Sequence, residues 1–268
     1  MTEEELIKKF NDCLSPMRGE EFNVFHWIRL RWDEVDHSGL IKSLLNSKGI
    51  HNFEDKFLTL FINELEKVKP ESIRNLNFLT KDSSADTEQY APLTSEKEKK
   101  PKNGRIDIYV KSKDQKKAII IENKLLARDQ KEQLKRYDSW ARTTLGDGNY
   151  VIVYLTLNGR EASKNSSEGV EYIQISYNET IINWLKACIA KIDEEGKDES
   201  YMRLRIGIKQ YKEYLERRVL KEFELTTTIE ENMDLVKSIL EKEDLFPDKD
   251  TIAQLYAQLY DKVKKSPK

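Results

Sequence analysis

The spacing of apolar residues changes along the chain from a helical period to continuous runs, and this change predicts the order of the elements. In the N-terminal part, apolar residues recur every three or four positions, which is typical of helices with one buried face. The predicted helices cover residues 3–14, about 33–47 and about 53–68, and Gly49 and Pro70 follow the second and third helices as stop signals.

Short segments rich in Ile and Val in the middle of the chain are typical of buried strands. Two of them, residues 105–110 and 118–124, are separated by a polar turn at residues 113–117. Residues 80–104 are rich in charged and small polar side chains, so we expect an exposed loop there, broken by a short strand near residues 88–93.

The second half of the chain alternates helical and strand patterns. They predict a helix at about residues 127–144, strands at 150–157 and 172–177, and helices at 181–192 and 202–220. This order of elements is typical of an α/β fold, with a central mixed sheet flanked by helices and extra helices at both ends of the chain.

A change in composition after Glu224 predicts a domain boundary. The segment that follows contains three consecutive threonines and then charged residues at helical spacing. We therefore expect one α/β domain at residues 1–222 and a charged helical extension at residues 223–268, which the chain length of 268 residues accommodates.

Composition narrows the classes of function. Charged residues make up 35% of the chain and the formal net charge is −2, so binding to nucleic acid would need a local basic patch. Cys13 and Cys188 are the only cysteines and form neither a disulfide framework nor a zinc-binding spacing, which favours a reduced cytoplasmic compartment. The acidic N-terminus lacks the apolar segment of a signal peptide, and no apolar run is long enough to cross a bilayer, so we expect no membrane partner.

Charged residues interrupt the two Ile/Val-rich strands. Because side chains alternate between the faces of a strand, Glu122 and Lys124 share one face, and Asp107 lies opposite the apolar face of its own strand. A hairpin would bring these three side chains to one spot. Buried charges cost stability unless they are used, and a divalent cation on the carboxylates is the simplest use.

This set of residues suits phosphodiester hydrolysis, in which a metal polarises the phosphoryl oxygen and lowers the pKa of the attacking water. Asp107 and Glu122 would supply carboxylate ligands, which magnesium prefers, and the backbone carbonyl of Asn123 would add another oxygen. Lys124 would orient the water and stabilise negative charge in the transition state.

The order of an acid in one strand and an acid–x–lysine triplet ending the next resembles the PD-(D/E)XK nuclease superfamily, with its restriction-endonuclease-like fold. Asp107 falls at the first acid, although Ile106 replaces the proline of the motif. In the following helix, Gln133 and Tyr137 look like the QxxxY motif of the RecB-like nucleases. Glu34 resembles the glutamate of the first core helix, and the whole resemblance covers about residues 22–220.

The resemblance implies a metal-dependent nuclease with Mg²⁺, or Mn²⁺, as cofactor and nucleic acid, foremost DNA, as substrate. It also implies products with a 5′-phosphate and a 3′-hydroxyl, a role in prokaryotic DNA defence or repair, and the homodimeric state common among such enzymes. The expected catalytic residues are Asp107, Glu122, Lys124, Glu34, Gln133 and Tyr137; the expected metal ligands are Asp107, Glu122, Asn123 and Glu34; the expected substrate contacts are Lys131, Lys135 and Arg136.

Other interpretations of the same residues stay open. Asp107 at a strand edge could pair with Arg105, Glu122 and Lys124 could form a cross-strand salt bridge, and Glu34 could be an exposed acid near a helix start. The pattern acid–x–lysine is not specific in so charged a chain, because it also begins at Glu54, Glu98, Asp114, Asp129 and Glu195.

Two rival functions follow from these alternatives. One is a nuclease-fold module that binds nucleic acid or protein with weak or no catalysis, and the other is an interaction protein that docks a partner through its charged tail. The aromatic residues near the N-terminus are expected in the core rather than as a platform for base stacking; they are Phe22, Phe25, Trp27 and Trp32.

Overall fold

The computed structural model describes residues 1–18, 22–28, 30, 33–76, 82–92, 103–195, 198–241 and 250–257. The chain forms two compact units, one of residues Ile28–Lys212 and one that combines Met1–Trp27 with Glu213–Lys268. These units group residues by contact, whereas the predicted boundary between residues 222 and 223 divides the chain by composition and stays a prediction.

A five-stranded mixed sheet lies at the centre of the larger unit, as predicted. The strands are adjacent in chain order, with β1 to β3 antiparallel and β3 to β5 parallel. Their bounds are β1 Ser84–Pro92, β2 Asn103–Lys111, β3 Ala118–Lys124, β4 Tyr150–Thr156 and β5 Ile173–Ser176.

Strand β1 is longer than the predicted short strand at residues 88–93. It pairs with β2 from Ser84 opposite Lys111 to Pro92 opposite Asn103. Most of its side chains are polar and only partly buried, because it is an edge strand with one neighbour. Residues 93–102 of the predicted loop lie outside the described residues.

Helices cover both faces of the sheet. The first of them in the larger unit begins where Asp33 caps its N-terminus, accepting hydrogen bonds from the backbone N–H groups of Val35 at 2.9 Å and Asp36 at 3.4 Å. The helices are α1 Glu3–Arg18, α2 Val24–Trp27, α3 Glu34–Leu45, α4 Lys56–Val68, α5 Pro70–Leu76, α6 Gln133–Leu145, α7 Lys164–Ser167, α8 Ile182–Glu195, α9 Glu199–Tyr214, α10 Leu220–Glu231 and α11 Met233–Leu240, with π-helical turns at Tyr177–Ile181 and Leu215–Val219.

The helices form an outer layer on each side of the strands. Helices α3, α4 and α8 pack together, with Trp184 donating a hydrogen bond to the carbonyl of Phe57 at 2.8 Å. Helix α6 lies on the other face, where Tyr137 and Leu134 are buried against Ile120 and Ile152. This α/β/α layering is the predicted fold class.

Helix α6 starts six residues later than the predicted helix at 127–144. Glu132, the residue before it, has a φ of 57°. This left-handed conformation cannot continue into a right-handed helix, so the preceding residues form a loop instead. The predicted helix at residues 202–220 differs as well, since it starts at Glu199 and changes to a π-helical turn after Tyr214.

The smaller unit has its own core, made by α1, α10, α11 and residues 250–257. It is built from apolar side chains such as Phe10, Leu225 and Val236. The expectation that the N-terminal aromatic residues lie in the core is wrong for Phe22 and Trp27, which are 72% and 74% exposed. Helix α2 is only four residues long and has no buried residue, and the two rings lie 6.4 Å apart, centre to centre. Trp32 lies outside the described residues.

Within the described part of the chain, no helix combines the length and the apolar character that crossing a membrane requires. Cys13 and Cys188 are both buried and both free of disulfide bonds. Burial raises the pKa of the Cys13 thiol to about 11, so it is not a reactive thiolate at neutral pH. The reduced compartment inferred from the cysteines stays a prediction.

Candidate active site

Asp107 and Glu122 lie where strands β2 and β3 separate. The antiparallel register pairs Ile108 with Ile121 and stops there, so the next two residues face each other across a gap. In this gap Asp107 Oδ2 accepts a hydrogen bond from the backbone N–H of Asn123 at 2.7 Å. A carboxylate thus occupies the place of a backbone acceptor.

The apolar face predicted for β2 is not kept along the whole strand. Ile106 packs in the same core cluster as Tyr109 and Tyr137, although strict alternation would put Ile106 and Tyr109 on opposite faces. The change in face coincides with the point at which β2 leaves β3. The side chain of Asp107 is therefore directed into the gap between the strands.

Glu122 and Lys124 form a buried ion pair on the sheet face that carries α6. Glu122 is fully buried and Lys124 is 5% exposed, and their Oε1 and Nζ atoms lie 2.5 Å apart. The contact is an ion pair with poor hydrogen-bond geometry, because Oε1 is among the buried side-chain atoms that accept no hydrogen bond in the described part of the chain. Apart from the charge of Lys124, this buried oxygen has no polar partner among the described residues.

Helix α6 orients the other oxygen of Glu122. The hydroxyl of Tyr137 donates to Glu122 Oε2 at 2.8 Å and also lies in contact with the carbonyl of Arg105. Gln133, one turn earlier on the helix, donates its side-chain amide to that hydroxyl at 3.3 Å. The two residues of the predicted QxxxY pair thus reach the acid of the triplet through one short chain of hydrogen bonds.

Glu34 brings a third carboxylate to the end of β3. Its Oε1 accepts hydrogen bonds from the backbone N–H groups of Leu125 at 2.8 Å and Ala127 at 3.3 Å. Its Oε2 lies 3.9 Å from Lys124 Nζ. The first residue of α3 therefore meets the triplet from the opposite side of the sheet.

The electrostatics of the cluster are dominated by burial and by excess negative charge. Burial raises the pKa of Asp107 to about 8, and the neighbouring Glu122 adds to this effect. Burial likewise raises the pKa of Glu122, against the opposing influence of Lys124. Burial lowers the pKa of Lys124, but the surrounding carboxylates outweigh it and raise the pKa above its usual value. The Lys124 ammonium therefore stays protonated at neutral pH beside the three acidic side chains.

The donor set fits a divalent cation of the hard, oxygen-preferring type. It contains three carboxylates against one ammonium, and Glu122 Oε1 lacks a hydrogen bond. The N–H and C=O groups of one strand residue point towards the same neighbouring strand. Because the N–H group of Asn123 points into the gap between β2 and β3, its carbonyl points there as well. Among the described residues, however, no three acidic, histidine or cysteine side chains are already arranged around one metal position.

The basic residues expected to contact substrate differ in their surroundings. Lys131 and Lys135 are exposed, although Lys131 precedes α6 instead of lying on it. Arg136 is buried; its guanidinium contacts the carbonyl of Lys131 and donates to the side chain of Gln130 at 3.2 Å. It therefore holds the loop before α6, and it is not an open phosphate contact.

Sequence reasoning placed His37 on the helix face of Glu34 but missed the contacts among the side chains behind the site. The amide of Asn123 bonds to Ser38 and Tyr177, and His37 lies buried beside them with its Nδ1 atom 2.7 Å from the hydroxyl of Tyr211. No spacing in the sequence marks these contacts, because the partners are far apart along the chain.

A second missed group ties the two loops beyond β3 and β4. Asp129 accepts hydrogen bonds from the backbone N–H of Ser163 at 2.7 Å, from Arg160 and from the hydroxyl of Tyr154. The guanidinium of Arg160 also lies over the Tyr154 ring, 5.6 Å from its centre. Asp129 begins one of the acid–x–lysine patterns of the sequence, and the structure gives it a role in fixing the loop.

The mixed sheet, its helical layers and the acidic cluster where β2 and β3 separate define an α/β protein of the restriction-endonuclease-like type. Residues 22–213 match the family model of the PD-(D/E)XK nuclease superfamily, and the chain belongs to this superfamily. Its members are typically nucleases that use divalent metals, so the family implies a nucleic-acid substrate. Comparison with curated proteins and with solved structures gave no match.

Proposed function

We propose that this protein is a metal-dependent nuclease that hydrolyses phosphodiester bonds, with DNA as its substrate. The observation that carries the proposal is the convergence of Asp107, Glu122, Lys124 and Glu34 at the end of β3 in a chain of a nuclease superfamily. Such a cluster of buried charges reduces stability, and metal binding would compensate for that cost.

Asp107, Glu122, Glu34 and the backbone carbonyl of Asn123 would hold Mg²⁺ or Mn²⁺. When bound, the cation supplies Lewis-acid polarisation of the phosphoryl group and lowers the pKa of water. The acids themselves provide the negative field that makes cation binding favourable in a partly dry site.

Lys124 acts as a hydrogen-bond donor and a positive charge in this proposal. Its raised pKa keeps the ammonium protonated at neutral pH, so it does not serve as the general base. From its place between Glu122 and Glu34 it orients the attacking water and stabilises the negative charge that develops on the phosphoryl oxygens.

Gln133 and Tyr137 support Glu122 from helix α6. This arrangement favours the RecB-like subgroup with the QxxxY motif. Exposed Lys131 and Lys135 would contact backbone phosphates, and Arg136 would fix the loop that carries Lys131. Products with a 5′-phosphate, a role in DNA defence or repair, and a homodimer rest on the resemblance to the family.

The test is cleavage by the purified full chain. Single- and double-stranded DNA and RNA are incubated with Mg²⁺, with Mn²⁺ and with a chelator, and the ends of the products are mapped. We expect metal-dependent cleavage of DNA that Asp107→Ala and Lys124→Ala reduce by about 10²-fold or more. Asp86→Ala and Lys116→Ala serve as controls, because Asp86 lies on edge strand β1 and Lys116 in the turn between β2 and β3.

Two results would overturn the proposal. One is the absence of cleavage of every substrate with either metal, which would favour the binding-module alternative. The other is cleavage that the Asp107 and Lys124 variants leave at the wild-type rate, because the activity would then arise elsewhere.

A further inference from the structure

The side chain of Asn123, the middle residue of the Glu122–Lys124 triplet, is fully buried on the sheet face opposite the carboxylate of Glu122. Its Nδ2 donates to Ser38 Oγ at 3.0 Å and to the backbone carbonyl of Glu34 at 3.2 Å. Its Oδ1 accepts a hydrogen bond from the hydroxyl of Tyr177 at 3.0 Å. Both N–H groups and the oxygen of the amide are therefore used.

These partners fix which way the amide points. A backbone carbonyl can only accept, so the nitrogen of Asn123 must face Glu34. Tyr177 is held in turn by His37, whose ring meets the tyrosine ring edge-on with 5.9 Å between centres, and His37 is hydrogen-bonded to Tyr211. The amide thus sits in a buried polar network and has one orientation.

Glu34 is attached at both ends to the same short segment. Its backbone carbonyl is bound by the Asn123 side chain, and its carboxylate is bound by the N–H groups of Leu125 and Ala127. The backbone N–H of Asn123 also holds Asp107 at 2.7 Å. One residue therefore connects two acids that come from different elements of the fold.

We infer that Asn123 is a positioning residue for the metal site, and that its side chain sets the place of Glu34 from the back of the sheet. This inference rests on the proposed function and deepens it. The side chain of Asn123 would thus position an acid, in addition to the role of its backbone carbonyl as a metal ligand. Ser38 and Tyr177 contribute to this positioning, because their hydrogen bonds hold the Asn123 amide in its orientation.

The direct test measures the binding of Mn²⁺ alone to the full chain by isothermal titration calorimetry. Asn123→Leu keeps the volume and all four charged residues but removes the amide. We expect the affinity for Mn²⁺ to fall by about 10-fold or more, as is typical when a residue that orients a ligand is lost. Tyr177→Phe, which removes one hydrogen bond, should shift the affinity in the same direction by a smaller factor.

A double-mutant cycle separates positioning from general damage to the fold. If Asn123 acts through Glu34, Asn123→Leu has little further effect on Mn²⁺ affinity once Glu34→Gln is present. Asn149→Leu is the matched control, because this asparagine also bonds a backbone carbonyl, that of Leu145 at 2.9 Å, just before β4 and away from the acids. It should lower the unfolding temperature without changing Mn²⁺ affinity.

The outcomes are distinguishable. Wild-type protein that binds Mn²⁺ through Asp107 while Asn123→Leu binds equally well overturns this inference and leaves the proposed function intact. An equal loss of affinity in the wild-type and Glu34→Gln backgrounds overturns it as well. Wild-type protein that binds no Mn²⁺ overturns the proposed metal site together with the inference. If Asn123→Leu does not fold, the same titration is made with Tyr177→Phe and Ser38→Ala. Lower affinity for Mn²⁺ in these variants supports the inference, and unchanged affinity in both overturns it.

Discussion

Tyr137 donates a hydrogen bond to Glu122 at 2.8 Å and so links helix α6 to the end of strand β3. Both residues are fully buried, and the hydroxyl is also supported by Gln133. The acid of the triplet is therefore oriented by a helix that contributes no charge to the cluster.

Replacing Tyr137 by Phe should impair cleavage without removing a charge. We expect the rate to fall by about 10-fold, because Glu122 loses the donor that orients it, and the free energy of unfolding to fall by about 1–3 kcal/mol. Tyr150→Phe is the control, since its hydroxyl bonds Asp138 on the same helix at 2.5 Å. It should reduce stability alone; equal rates for both variants would contradict the proposed support of Glu122.

The stability of the metal-free protein should depend on pH through Asp107. Its pKa rises from 3.8 to about 8 on folding, so the folded protein keeps a proton that the unfolded chain releases. The stabilisation of the folded state that comes from this bound proton is fully present below about pH 4. It is lost as the pH rises towards 8.

Asp107→Asn removes this titration. In urea unfolding with a chelator from pH 5 to pH 8, the stability of the wild type should fall relative to that of the variant. Parallel curves for the two proteins would show that Asp107 does not hold the extra proton.

Removing the lysine should destabilise the cluster in the absence of metal. Lys124→Met leaves buried Glu122 without its cation, and we expect a loss of about 3–5 kcal/mol at neutral pH. Acid should restore part of the loss, since protonated Glu122 no longer needs a partner. Lys111→Met, which breaks a more exposed pair with Asp86, should cost less than about 1 kcal/mol. Equal losses in chemical denaturation would contradict this account.

The two exposed lysines near α6 should act on nucleic acid as phosphate contacts. Each of Lys131→Ala and Lys135→Ala should weaken binding at all sequences and lower the slope of log affinity against log salt by about one. Binding is measured with metal replaced by a chelator, so that cleavage does not interfere. Lys116→Ala should leave the slope unchanged, and a slope unaffected in all three variants would remove these lysines from the interface.

The central part of the fold was readable from the sequence because its signals are local. The Ile/Val runs predicted β2 and β3, which pair as an antiparallel hairpin up to Ile108 and Ile121. The alternation of faces did not predict that β2 changes face next to Asp107. The length of edge strand β1 was underestimated, because its polar residues are typical of a loop and its strand conformation depends on pairing with β2. The start of α6 was misplaced because a left-handed residue such as Glu132 has no signature when it is not glycine or asparagine.

The supporting contacts of the site were not readable, since they join residues that are distant in the chain. Asn123 meets partners 54 to 89 positions away, and nothing near it in sequence distinguishes a buried amide from an exposed one. Phe22 and Trp27 show the reverse problem, because an aromatic side chain favours burial but does not require it, and both rings are largely exposed.

The hydrogen bond from the Asn123 backbone to Asp107 turns one amide proton into a reporter of the site. In an NMR spectrum of ¹⁵N-labelled protein, that proton senses directly whether the carboxylate is ionised, protonated or shared with a cation. Titration with a diamagnetic ion such as Mg²⁺ should shift its resonance, while the amides of the turn at residues 113–117 stay in place. A single peak would then follow occupancy of the site without any substrate being cut.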